Sequence, residues 1–248
     1  MEFTIKAYEN MLEALKGKKY NIVGYDNTEK SQKRCILRHD IDMSVPCAVN
    51  MSKVEKQHGV TSTYFVLLCT GFYNVFDKST KEQLLQIIDN GSEIGLHFDE
   101  CKYDDLQNLD SEQYKQQISL YIKQECEILQ QALGIKIDKV SMHRPSKRLL
   151  SEHIQIANLI NSYSVEFFED YKYLSDSRRN WREDVFMYIN EAKQDLHILT
   201  HPIWYQMSCE KDIKQTLLEF CNSAKFDRYH YLEDNIRDLN KDFKITDL

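Results

Sequence analysis

The sequence predicts an α/β protein built as a distorted, incomplete (β/α) barrel of about seven parallel strands. Three observations carry this. Apolar strand-like runs alternate with helical patterns from residue 35 to about 225, the signature of a parallel sheet with crossover helices. Only six or seven such strands can be counted, too few for eight full units, with an open doubly wound sheet as the rival arrangement. Finally, Asp40, Asp42, His97, His143, Arg144 and His201 all fall where a strand gives way to a loop, and parallel α/β sheets gather ligands at those ends.

Residues 2–20 carry Phe3, Ala7, Met11, Leu12 and Leu15 at helical spacing, closed by Gly17, and read as a lid or cap helix. Residues 25–33 are polar and turn-rich. The central stretch is Arg34-Cys35-Ile36-Leu37-Arg38-His39-Asp40-Ile41-Asp42, a buried strand ending in two carboxylates. Side chains alternate across a strand, so Arg38, Asp40 and Asp42 share one face while Leu37, His39 and Ile41 take the other, where His39 packs under the barrel. A helix follows from Ser44, its N-cap, through Pro46 to Gln57. Thr61–Leu68 is a second strand. Ser79–Asp89 is a helix with Ser79 and Glu82 in capping-box spacing, and Glu93–Leu96 is a third strand that delivers His97.

Further on, Gln113–Leu133 is a long amphipathic helix ended by Gly134, and Lys139–Met142 is a strand whose exit is His143-Arg144-Pro145. Leu149–Ile160 reads as helix and Ser164–Phe168 as a possible strand before the loop Ser175–Trp181. Leu196–Leu199 is the final strand, delivering Thr200-His201-Pro202, and Asp212–Ala224 is a helix. The expected organisation is a single domain: an N-terminal helix and loop (1–33), the barrel (34–225) and a C-terminal polar tail (226–248).

Composition limits the function classes. The 248 residues hold 32 Lys and Arg against 39 Asp and Glu, a net charge of −7, with no basic block, so nucleic acid is not an expected partner. No stretch approaches the twenty apolar residues of a membrane span, and no signal peptide is apparent near the N-terminus. Seven scattered cysteines without a Cys-x-x-Cys pair argue against a disulfide framework, and the expected compartment is the reducing cytoplasm. Of the eight histidines, His58, His153, His197 and His230 sit in structural or solvated positions. His97, His143 and His201 each follow an apolar strand, and together beside two acids they point to a metal or acid–base role.

With these residues in view, the chain resembles the polysaccharide deacetylases, the NodB-homology group also called carbohydrate esterase family 4, over roughly residues 34–203. Arg38-His39-Asp40-Ile41-Asp42 resembles the family's strand ending in paired aspartates, which implies Asp40 as catalytic base and Asp42 as metal ligand. Glu93-Ile94-Gly95-Leu96-His97 is similar to the histidine motif. Arg144-Pro145 is similar to the arginine motif, whose arginine would hold the base. Asp176–Trp181 resembles the aspartate–tryptophan motif, and Leu199-Thr200-His201 the last one, whose histidine is the general acid with Asp176 as partner. Two departures stand out: Cys101 occupies the place of the family's second metal histidine, and Ile41 splits the aspartates.

The third ligand is therefore open among His143, Cys101, Asp99 and Glu100, with His143 favoured because it exits a strand. The resemblance implies a divalent metal, zinc the expected one, on Asp42, His97 and a third ligand, here expected to be His143, and removal of an N-acetyl or other acyl group from a sugar. Trp181, Trp204 and Tyr205 would offer flat faces to the sugar. The expected substrate is an acylated, nucleotide- or lipid-linked precursor of a cell-surface glycan, with Arg144, Lys147, Arg148, Arg178, Arg179 and Arg182 supplying positive potential at the mouth. Two other readings compete. One is a carbohydrate-binding barrel that has lost its metal; the other, a glycosyltransferase using Asp40-Ile41-Asp42, lacks a nucleotide-binding half and a Gly-rich phosphate loop.

Overall fold

The structure is a computed structural model that describes residues 1–26, 33–207 and 210–248; most of the turn-rich 25–33 stretch, and Cys209, lie outside the described residues. In chain order the strands are β1 (Asn21–Ile22), β2 (Arg34–Ile41), β3 (Thr63–Val66), β4 (Glu93–Phe98), β5 (Lys139–Met142), β6 (Ile160–Asn161), β7 (Lys172–Ser175) and β8 (Leu196–Thr200). The helices are α1 (Ile5–Gly17), α2 (Val45–Gln57), α3 (Lys78–Asp89), α4 (Ser111–Leu133), α5 (Lys147–Ser151), α6 (Val165–Glu169), α7 (Val185–Glu191) and α8 (Ile213–Asn235).

Seven strands form one parallel path in the order β6-β5-β4-β3-β2-β8-β7, with β1 added beside the start of β2. The end strands β6 and β7 do not pair with each other among the described residues, so the barrel stays open there, as the strand count predicts. The sheet is nevertheless curled. β2 and β5 are three strand spacings apart, about 14 Å in a flat sheet, beyond the reach of one side chain. Yet the Arg38 guanidinium on β2 donates to Ser141 Oγ on β5 and, at 3.2 Å, to Ser162 Oγ just past β6. Inside the curl, Val23, Tyr25, Ile36, Phe65, Phe167 and Tyr171 form a small apolar plug. Gly95 is required here: a Cβ at this position of β4 would lie 2.6 Å from the Phe65 ring.

The alternation expected along β2 is observed. Arg38 and Asp40 face the interior, where they bond each other, while Leu37 and Ile41 pack into the two outer cores. One outer core lies under α2, α3 and α4, and the other under α1 and α7. Between them sits a polar node. Glu55 of α2 is fully buried and accepts from Tyr8 Oη at 2.6 Å, Ser62 Oγ at 2.7 Å, Tyr64 Oη at 2.8 Å and the His39 ring at 2.8 Å. His39 turns its other nitrogen to Thr200 Oγ1 at 2.7 Å, so it joins the ends of β2 and β8 from beneath.

Several local expectations are corrected. α1 is no lid: Tyr8, Met11, Leu12 and Leu15 are fully buried in the core, because its apolar stripe is wide enough to cover the sheet. The cap of α3 is Asp77, which accepts from the backbone of Ser79 and Thr80. The helix expected over 149–160 stops after Ser151, and His153 and Asn158 adopt positive φ (46° and 66°), turning the chain into β6. The strand expected at 164–168 is the short helix α6, with the strand displaced to β7. The helix expected over 212–224 runs on to Asn235, through the boundary expected at 225/226. Ser44 does cap α2, accepting from Cys47 N, and Gly134 (φ 73°) ends α4 in the left-handed conformation.

Candidate active site

The C-terminal ends of β2, β4, β5 and β8 bring Asp40, Asp42, His97, His143 and His201 together. His97 Nε2 lies 3.2 Å from Asp42 Oδ1 and 3.2 Å from His143 Nδ1, and His143 Nδ1 lies 3.5 Å from Asp42 Oδ1. Tetrahedral ligands at zinc–nitrogen and zinc–oxygen lengths are separated by about 3.3 Å, so the triangle has the edge lengths of a three-residue metal set. Asp42 Oδ1 is buried and has no hydrogen-bond partner among the described residues, although its neighbours are close. Three donor atoms thus converge on a shared point, and the residues present fit a divalent ion. Burial opposes ionisation of Asp42, but His143 and His97 outweigh it and hold the carboxyl below the usual carboxylate range. His97 Nδ1 is 3.2 Å from Ser141 Oγ; donation there assigns the tautomer whose Nε2 lone pair faces the centre.

The other candidates for the third ligand are engaged elsewhere or open to solvent. Asp99 accepts from Cys101 N and from the Arg144 guanidinium. Glu100 accepts from Tyr114 Oη and Ser146 N, and Cys101 is exposed. Among the described residues, Asp42, His97 and His143 form the group that could hold an ion.

Asp40 stands beside this group, its Oδ2 3.6 Å from His97 Nε2. The arginine that grips it is Arg38, two residues earlier on the same strand face: Nε donates to Oδ1 at 2.9 Å and a terminal nitrogen to Oδ2 at 2.7 Å. Burial alone would raise the Asp40 carboxyl; Arg38 outweighs it and lowers it. The expected contact from Arg144 is not made, because that side chain is 64% exposed and bound to Asp99. Arg38 is the residue the motif reading missed, and its spacing from Asp40 was the available signal.

His201 has the partner predicted for it. Asp176 is fully buried and accepts from His201 Nδ1 at 2.6 Å and from the His201 backbone N–H at 3.0 Å. His201 Nε2 then faces Asp42 Oδ2 at 3.8 Å. Burial works against an imidazolium, but Asp176, with Asp42 and Asp40 behind it, raises His201 to about 9. The site therefore holds a carboxylate kept ionised beside an imidazole kept protonated.

The aromatic assignments are altered. Trp204 and Tyr205 are 6% and 4% exposed and packed into the core beneath α1, so neither presents a face to a sugar; Trp181 alone remains partly accessible. The expected basic rim is also partly committed. Arg148 bonds the carbonyls of Leu109 and Asp110, and Arg179 bonds Glu210 and stacks on Phe3. Lys147, Arg178 and Arg182 are exposed. Of the remaining histidines, His197 is buried against Tyr25 Oη and the Phe167 carbonyl, and His58 ends α2. His153 lies in the turn after α5, and His230 pairs with Glu233 on α8.

No protein-family model matches the chain, and no curated protein matches it. Solved structures do. The chain is similar to the Streptococcus pyogenes deacetylase PplD in complex with acetate, with 14% identity over 60% of this chain and 67% of that one (TM-score 0.42). It is similar to BA3943 of Bacillus anthracis, described as a family 4 carbohydrate esterase (CE4) pseudoenzyme, with 13% identity, 80% of this chain and 63% of that one (TM-score 0.44). It is also similar to the peptidoglycan deacetylase PdaC from Bacillus subtilis, with 16% identity, 83% of this chain and 100% of that one (TM-score 0.42). The chain thus spans about two thirds of the length of the first two.

Proposed function

We propose that the chain is a metal-dependent hydrolase that removes an N-acetyl or related acyl group from a sugar. The observation that carries this is the convergence of Asp42, His97 and His143 at 3.2–3.5 Å beside an acid and a base of opposite poise. A zinc-class ion held by those three residues would lower the pKa of a water and polarise the acyl oxygen. Asp40 takes the water's proton; Arg38 fixes its carboxylate and keeps it ionised. His201 delivers a proton from Nε2 to the leaving amine, and Asp176 locks the ring through Nδ1–H so that Nε2 faces the site. Trp181 is the aromatic ring left to contact the sugar.

The six unpaired cysteines among the described residues favour a reducing compartment, and on that basis we place the reaction in the cytoplasm, on an acylated precursor of a cell-surface glycan. The test is acetate release from a panel of nucleotide-activated N-acetyl sugars, lipid-linked sugars and acetylated oligosaccharides. Release from the activated or lipid-linked members is the expected result. Robust release from long polymer alone would overturn the precursor assignment, and no release from any member would overturn the activity.

A further inference from the structure

His143 reaches the metal group from β5, whereas His97 comes from β4, and the loop after each strand has to be held against the other. The structure shows what holds them. His143 N–H continues the ladder past the strand by donating to the Phe98 carbonyl at 2.7 Å. The next residue, Arg144, has φ 48°, the left-handed region that a non-glycine residue adopts only when its surroundings enforce it. Its guanidinium is caught by Asp99 Oδ2, and the other oxygen of that carboxylate caps the Cys101 backbone N–H at 3.2 Å. Asp99 lies two residues beyond His97, immediately past β4, with its carboxylate 4% exposed against 64% for Arg144. Losing Arg144 would therefore leave a buried carboxylate without its cation.

We propose that Asp99 and Arg144 form a clamp that positions His143 as the third metal ligand. The inference rests on the metal-centre reading above. Its content is separate: a side-chain bracket between two loops holds His143, which follows β5, against His97 of β4. Neither residue touches the ion; both are positioning residues acting through His143.

The test measures metal affinity directly, by chelator competition with Zn2+ and by the visible absorption of the Co2+-loaded protein, with the melting temperature recorded alongside. Losing a partner that orients a metal ligand typically costs 10–100-fold in affinity, and that loss is expected in Arg144→Ala and Asp99→Asn. Combining the two should cost no more than either alone. Arg144→Lys should recover part of the loss. Arg144→Gly adopts positive φ without penalty but lacks the guanidinium, so it should bind as weakly as Arg144→Ala, with an altered Co2+ spectrum. Wild-type affinity in Arg144→Gly, or in Arg144→Ala and Asp99→Asn while His143→Ala loses the ion, would overturn the clamp and leave the metal centre standing. Metal binding unchanged in both His97→Ala and His143→Ala would overturn the centre itself, and the clamp with it.

Discussion

Replacing Glu55 with Ala should be among the most destabilising substitutions in the molecule. The carboxylate is fully buried and accepts four hydrogen bonds of 2.6–2.8 Å from Tyr8, Ser62, His39 and Tyr64. Its removal would take this acceptor from four buried donors of α1, β2, β3 and the turn before β3, and from Ser92 Oγ at 3.3 Å. Breaking a buried charged node in this way costs about 3–5 kcal/mol, and at roughly 2–4 °C per kcal/mol for a chain of this size the melting temperature should fall by about 6–20 °C. Glu55→Gln, which keeps an acceptor oxygen, should cost roughly half as much.

The effect also has a pH signature. Burial raises the Glu55 carboxyl, but His39 and the donated hydrogen bonds outweigh it and hold it below its ordinary 4.5. A depressed folded-state pKa contributes stability above the unfolded value and loses it as pH falls through the folded value. The gap between the wild type and Glu55→Gln should therefore be full above about pH 5 and narrow on acidification. Calorimetric or denaturant melts at pH 7 and pH 4 measure both. A cost under about 1 kcal/mol for Glu55→Ala, or a gap that widens in acid, would show that the buried node does not depend on an ionised Glu55.

The site makes its own predictions. His97→Ala should lose the metal, read by elemental analysis, because one of three ligands is gone and Ser141 cannot replace it. Asp40→Asn should keep the metal and lose about 10²–10⁴-fold in turnover; metal loss instead would make Asp40 a ligand. Arg38→Met should lower turnover as well as stability, since it leaves Asp40 buried and unpaired, whereas an unchanged rate constant would show that the base needs no cation. Asp176→Asn should lower turnover by a similar 10²–10⁴-fold with metal content unchanged, because the amide no longer fixes His201 with Nε2 facing the site.

How much of this was legible in the sequence depends on the range of the interaction. The face of β2 that carries Arg38, Asp40 and Asp42 followed from period-two alternation, and the histidines at strand ends followed from where apolar runs stop. His201 and Asp176 were paired through the motif they resemble, and the structure places them 2.6 Å apart. What failed was contact-level detail. Arg144 is adjacent in sequence to the proposed ligand His143, yet its guanidinium bonds Asp99 and leaves Asp40 to Arg38. Trp204 and Tyr205 lie within four residues of His201, but the turn they occupy packs against α2, β2 and α8, so their rings are buried in the core. Glu55 gave no signal, since a glutamate in a helix is ordinarily solvated and its five-element node exists only after folding. The helix expected at 149–160 was lost to two left-handed residues that no periodicity marks.

If Asp42, His97 and His143 constitute a metal centre, elemental analysis of protein purified without chelator should find one zinc-class ion per chain in the wild type and almost none in His143→Ala, with both proteins folded by their melting curves. Stoichiometric metal in His143→Ala, or a folded wild type that takes up no divalent ion when dialysed against zinc, would contradict it.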